Sequence, residues 1–209
     1  VLKPSPAGLG ASAEATEKRA ITGSFTLQAW VKGLEIPTEA WQHIAGEPES
    51  GARMFWHWGN GVLGAVHLRN PDDTWSPIEI GPGPDAKDLE WHHILMTWDQ
   101  STGLFTGYWD AQVIPENPPP PDPPQNPVPR AGTTKDPYPD LPFTIAGWTN
   151  AIGDPRDAFS DDVVIDDVGY WDGAATAEMV QELFEGLRSI TDPLIEVFPL
   201  GDMDCDGDV

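Results

Sequence analysis

The chain has 209 residues, with 34 acidic against 11 basic ones and a net charge of -23 at pH 7. So acidic a surface repels nucleic acid and anionic membranes, and no apolar run of about 18 residues is present to span a bilayer. The lone Cys205 rules out an intramolecular disulfide framework, and a chain this long buries about 70% of its unfolded surface without one.

The 23 Pro and 21 Gly make up about a fifth of the chain, roughly twice average usage. That composition favours turns and short strands over helices. Ten Trp are present, and indoles both fill cores and stack on sugars.

In chain order, residues 1–20 are weakly patterned, with an incoming edge strand expected at 1–3. Residues 25–32 alternate: Phe25, Leu27, Ala29 and Val31 lie on one face, Thr26, Gln28, Trp30 and Lys32 on the other. A short strand is expected at 41–46. Residues 53–58 and 62–68 form a hairpin across Gly59-Asn60-Gly61, a strong turn signal. Residues 75–80 read as a further strand.

The clearest pattern is WHHILMTWDQSTGLFTGYWDAQVI at 91–114. His92, Ile94, Met96 and Trp98 alternate with His93, Leu95 and Thr97. Leu104, Thr106 and Tyr108 alternate with Phe105, Gly107 and Trp109. The DQSTG loop between them ends in a Gly that tolerates positive φ. Residues 115–142 are Pro-rich. Because Pro lacks the N–H a ladder needs, this tract is expected to be a surface insertion and not sheet.

Strands follow at 141–148 and 163–171. The period then changes to helical, with Met179, Val180, Leu183, Phe184 and Leu187 on one stripe. Thr176 suits the N-cap, Glu178 the first turn, and Gly186 the end. A closing strand is expected at 194–200. One helix among some ten strands means an all-β domain, a two-sheet antiparallel β-sandwich or jelly roll.

FTLQAWVKG, WHHILMTWDQSTGLFTGYWDAQ and VVIDDVGYWDGAATAEMVQELFEG, in that order, resemble the laminin-G-like, concanavalin A-like jelly-roll superfamily of bacterial extracellular proteins. The resemblance covers roughly residues 21–190. It implies one domain over residues 1–200, often with a structural Ca²⁺, and a secreted or cell-surface address. The superfamily has Asp-Gly where this chain has Asp110-Ala111, which implies a looser turn here. It also lacks the long Pro insertion. Residues 201–209 resemble the start of a dockerin-type or EF-hand-like calcium loop, with Asp202, Asp204 and Asp206 at loop positions one, three and five and Gly207 at six. The chain begins at Val1, stops inside this motif, and reads as a fragment or a trimmed product.

Four kinds of site follow. Calcium would draw on Asp162, Asp166 and Asp167, near Asp154, Asp157 and Asp161, and on Asp202, Asp204 and Asp206. Asp166 and Asp167 adjoin on a strand and face opposite ways, so both reach one ion only across a bulge; the competing reading makes Asp167 a buried hydrogen-bonding carboxylate. Glycosidases of the superfamily this chain resembles typically carry Glu-x-Asp-x-x-Glu on one strand, so that both acids face one cleft, and no Glu here has Asp two residues later. The five His (His43, His57, His67, His92 and His93) are spread over separate strands or point apart. Aromatic platforms would use Trp56, Trp58 and Trp75, with Trp109 near them in sequence and Asn60, Asn70 and Asp72 taking sugar hydroxyls. Trp30, Trp91, Trp98 and Trp148 are expected in the core.

These features favour a non-catalytic binding or adhesion module with carbohydrate or an extracellular surface polymer as partner. The alternatives are a self-assembling structural subunit of an extracellular layer or filament, and a polysaccharide hydrolase with an atypical acid pair.

Overall fold

The computed structural model describes residues 2–4, 11–14, 23–33, 41–46, 52–57, 64–69, 75–80, 89–114, 128–129, 133–134, 143–145, 148–149, 155–156 and 163–192. In chain order the strands are β1 (Leu2–Pro4), β2 (Ala11–Glu14), β3 (Phe25–Gly33), β4 (Trp41–Gly46), β5 (Arg53–His57), β6 (Gly64–Arg69), β7 (Trp75–Ile80), β8 (Trp91–Asp99), β9 (Leu104–Trp109) and β10 (Gln112–Val113). They continue with β11 (Val128–Pro129), β12 (Thr133–Thr134), β13 (Thr144–Ile145), β14 (Trp148–Thr149), β15 (Pro155–Arg156) and β16 (Val163–Asp172), and helix α1 (Ala177–Phe184) follows. No helix among the described residues is long and apolar enough to cross a membrane.

The strands form two main antiparallel sheets. One has the order β1-β2-β13-β4-β5-β6-β12, with β7 on the free side of β6. The other runs β10-β9-β8-β3-β16, with β11 beside β10 on β9. A small β14-β15 pair stands apart. Alternation sends Phe25, Leu27, Ala29, Val31, Ile94, Met96, Trp98, Phe105 and Trp109 inward from the second sheet, where they form one core with Ile44, Ala45, Ala52 and Met54 of the first. This is the β-sandwich the sequence predicts.

One expectation is corrected by the strand pairing. The Pro-rich tract contains strand after all: β11 pairs with β9 and β12 with β6, so residues 128–134 pass from one sheet to the other. Pro is accepted there because β11 lies at an edge. Pro4 of β1, Pro77 of β7 and Pro155 of β15 also occupy strands with a single partner among the described residues, where a missing N–H breaks no ladder. Residues 1–20, weakly patterned in sequence, supply both β1 and β2. Residues 194–200, expected as a closing strand, lie outside the described residues.

The Asp110-Ala111 turn is tight, not loose. Trp109 pairs with Gln112, leaving two central residues, and both have positive φ (48° and 60°). That is the two-residue turn whose twist matches the flanking strands. Asp tolerates this region; Ala does so at a cost of about 1–2 kcal/mol. Ala111→Gly is therefore expected to stabilise the fold by about 0.5–1 kcal/mol after the entropy of the added Gly is subtracted. A higher midpoint in urea at unchanged slope checks this; a lower one would mean the contact of the Ala111 methyl with the cluster beneath α1 outweighs the strain.

The DQSTG loop closes as expected. The Gly103 N–H donates to the Asp99 carbonyl at 2.8 Å, and Gly103 has φ 68°. The Ser101 and Thr102 hydroxyls donate to the Asp99 carboxylate at 2.7 Å each, which holds its carboxyl below the usual range.

A candidate ligand platform at the open end of the sheet

The outward face of the second sheet carries the polar half of each alternation, Thr26, Gln28, Trp30 and Lys32 on β3 and Trp91, His93, Leu95 and Thr97 on β8. Helix α1 covers part of it. Thr176 caps the helix, its hydroxyl accepting from the Met179 N–H at 3.3 Å. Val180 and Leu183 bury against Leu95, Tyr108 and Trp171, while Leu187, expected on the same stripe, is exposed. The chain approaches the helix where the Ala175 N–H donates to the Thr26 hydroxyl at 2.8 Å. The helix ends where Phe184 stacks on Trp30, ring centres 5.8 Å apart. It thus runs over β3 from the level of Thr26 to that of Trp30.

Beneath the helix end lies a buried polar network. His93 packs against both Trp30 and Phe184. Its Nε2 lies 3.0 Å from the Gln28 Oε1, and the Gln28 Nε2 donates to the Asp167 carbonyl at 3.3 Å. With the amide nitrogen so committed, the amide oxygen must accept, and His93 carries its proton on Nε2. Nδ1 is left buried and without a partner. Burial pushes His93 down to about 4, against the pull of the Asp110 charge.

A helix of eight residues is about 12 Å long, whereas strands of nine residues span about 30 Å. Among the described residues, one end of the face therefore stays open. There Lys32 pairs with Trp91 on β8 and with Val164 on β16, a cross-strand row Val164-Lys32-Trp91 on one face. Trp91 is 40% exposed and Val164 38%. Trp91 is exposed for a further reason: β9 ends at Trp109, opposite Ile94, so β8 outruns its partner by three residues. The turn is fastened just there. Asp110 accepts from the His93 N–H at 2.8 Å through Oδ1, and its Oδ2 lies 2.8 Å from the His92 Nδ1. The Trp109 indole N–H points at the same Nδ1 at 3.0 Å, so that nitrogen either accepts from Trp109 or donates to Asp110.

In sequence, Trp91 reads as a core residue and Trp109 as a neighbour of an exposed platform. Both are reversed: Trp109 is 5% exposed and belongs to the core. Trp98 is buried as expected, and Trp30 is half-buried beneath the helix. The signal for Trp91 was present in the Asp110-Ala111 turn, which ends β9 three positions short of Trp91.

The other predicted platform residues do not come together. Trp56 lies on β5 beyond Met54, which pairs with Gly64 at the start of β6, whereas Trp75 pairs with Arg69 at the end of β6. The register sets their backbones about seven residues, or about 23 Å, apart along the sheet. Trp58, Asn60, Asn70 and Asp72 lie outside the described residues, as does the side-chain placement of Trp56 and Trp75.

Of the calcium candidates, Asp166 and Asp167 are described. A bulge does fall between them and β3: Asp166 pairs with Trp30 and Gly169 with Gln28, so two residues face Ala29. Asp167 takes φ 46° and donates its N–H to the Asp166 Oδ1 at 2.9 Å. It is exposed, contrary to a buried structural role. Two carboxylates, one with an oxygen already engaged, fall short of the six to eight oxygens calcium takes. The described residues contain no group of three or more His, Cys, Asp or Glu side chains that could hold a metal. Asp162, Asp202, Asp204 and Asp206 lie outside them. His43 and His93, both buried, stand on different sheets.

The model of a laminin G-type family, described as the concanavalin A-like lectin/glucanases superfamily, matches residues 8–181. The match stops short of the 201–209 motif. No curated protein matches the chain by sequence. Among solved structures, the native heptameric SAP-like pentraxin of Limulus polyphemus is similar at 14% identity and TM-score 0.56, over 88% of this chain and 79% of that one. The receptor binding domain of botulinum neurotoxin D is similar at 12% identity and TM-score 0.52, over 85% of this chain and 41% of that one. The serotype D ligand binding domain in complex with N-acetylneuraminic acid gives 13% and 0.50, over 84% and 39%. These likenesses concern the fold.

Proposed function

The chain belongs to the concanavalin A-like lectin/glucanases superfamily, and from that premise we propose that it is a non-catalytic carbohydrate-binding module whose platform is Trp91. The observation that carries this reading is the exposed indole at the end of a strand whose next eight residues are buried or half-buried. Burial would be the default for so large an apolar ring. An indole left open on a rigid sheet offers a flat apolar face to a pyranose ring at little entropic cost. Lys32 and the main-chain rim of the open end supply polar partners for hydroxyls. A similar fold holding N-acetylneuraminic acid in the serotype D neurotoxin domain is in keeping with this assignment.

A secreted or cell-surface protein is the setting we propose for the module, with its acidic surface keeping it soluble and apart from anionic polymers. Detection of the protein in the medium or on intact cells checks that part. A calcium ion at the Asp166-Asp167 bulge would have to take its remaining ligands from outside the described residues, and the sugar-binding reading does not depend on one.

Wild-type protein on a glycan array is expected to give a defined set of hits, and Trp91→Ala to lose them at least tenfold, since loss of one stacking aromatic costs about 1–3 kcal/mol. Trp91 is a surface side chain, so the melting temperature should hardly move. Hits that survive Trp91→Ala at full strength would end the assignment of this platform.

A further inference from the structure

The row that holds Trp91 also holds a cation, and its surroundings say what the cation is free to meet. Lys32 stands between Trp91 and Val164, with Trp30 two residues along β3 on the same face. All three neighbours are apolar or aromatic. In a chain with 34 acidic residues against 11 basic ones, a half-buried lysine would ordinarily find a carboxylate. Among the described residues none pairs with it. Asp166, the acid in the next row of the same face, points its Oδ1 at the Asp167 N–H. Glu90, beside Trp91 in sequence, has a partner of its own. Asp110, the inward-turned carboxylate nearby among the described residues, is spent on His92 and the His93 N–H.

We infer that the platform selects a saccharide bearing a carboxylate: the pyranose ring stacks on Trp91 and its carboxylate meets the Lys32 ammonium. This rests on the carbohydrate-binding reading and narrows it to a class. A carboxylate on a stacked ring completes the site in a way that a hydroxyl does not, because it supplies the counter-charge that none of the described residues supplies. The same geometry limits the ligand. One lysine in a strongly acidic chain attracts one carboxylate at short range, whereas a polyanion would meet the repulsion of the whole surface. The ligand is therefore a neutral glycan ending in a single acidic sugar, not an acidic polysaccharide.

Two disaccharides that differ only in ending in glucuronic acid or in glucose provide the test, titrated calorimetrically into wild type, Lys32→Gln, Lys32→Arg and Trp91→Ala. Wild type is expected to prefer the acid by about tenfold or more, the range of a hydrogen bond to a charged group. Lys32→Gln should erase the preference, Lys32→Arg should restore it, and added salt should shrink it. Trp91→Ala should weaken both sugars. Equal affinity of wild type for the two, binding of neither, or a preference untouched by Lys32→Gln overturns the acidic inference. If Trp91→Ala still weakens the glucose-ended sugar in that event, the platform stands without it; if Trp91→Ala changes nothing, the platform falls as well.

Discussion

Acidification from pH 7 to pH 5 is expected to remove about 4 kcal/mol of folding stability through two buried histidines. His43 is pushed down from 6.5 to about 3, by burial first and the Arg53 guanidinium second, with its Nε2 3.3 Å from the Thr144 hydroxyl. His93 is pushed down from 6.5 to about 4 by burial beneath α1. Both folded values lie below the unfolded one, so between 6.5 and 4 the unfolded chain binds two protons that the folded chain refuses. Their stabilising contribution is complete above 6.5 and drains away as pH falls, at about 1.4 kcal/mol per pH unit for each ring. Ordinary carboxylates titrate near 4, so relief of the negative self-repulsion comes too late to offset this at pH 5. Urea midpoints at pH 7, 6 and 5 measure the slope. His93→Gln, whose amide can still meet Gln28, should halve it. A profile that is flat from pH 7 to 5 would contradict the burial of both rings.

The second large effect is expected at Gly46. It sits where β4 runs between β5 and β13, opposite Arg53 and Thr144, with φ 141°. A Cβ there would lie 2.5 Å from the Arg53 Cα and 2.6 Å from the Ala52 carbonyl oxygen. Both obstacles are backbone, so neither can swing aside. The overlap costs about 1–3 kcal/mol as for other overpacked sites, and the positive φ adds about 1–2 kcal/mol. Gly46→Ala should therefore lose about 2–5 kcal/mol, at the upper end enough to unfold a marginal domain. The loss should fall on stability alone: any folded fraction at low temperature should bind sugar like wild type. An unchanged urea midpoint would show that β4 and β5 are spaced more widely than the register implies.

Much of the scaffold can be read from alternation. β3, β8, β9 and β16 declare two faces each, and Thr176, Glu178 and Gly186 bracket the helix, because these signals are local. The site cannot be read that way, since it depends on where elements stop. Trp91 sits in an unbroken alternating run and looks like core; it is open only because β9 turns away at Asp110-Ala111 and α1 reaches no further than Trp30. Trp109 looks like a partner for Trp56 and Trp75 in sequence order, yet the period-2 pattern places it opposite Ile94, inside. Trp56 and Trp75 stand on the two strands that pair with β6 but at its opposite ends, which register decides and composition does not. In the Pro-rich tract, the rule that Pro breaks sheets is sound for central strands and fails at Val128–Pro129 because that bridge lies at an edge.

The measurement that bears most directly on the central claim is oxidative footprinting of the indoles, read by mass spectrometry with and without the best array saccharide. The ten tryptophans act as internal controls in one experiment. Protection of Trp91 by sugar, with Trp56 and Trp75 unchanged and Trp98 inert in both states, is the predicted result. Protection at Trp56 or Trp75 with Trp91 equally reactive in both states would contradict it and move the binding surface to the other sheet.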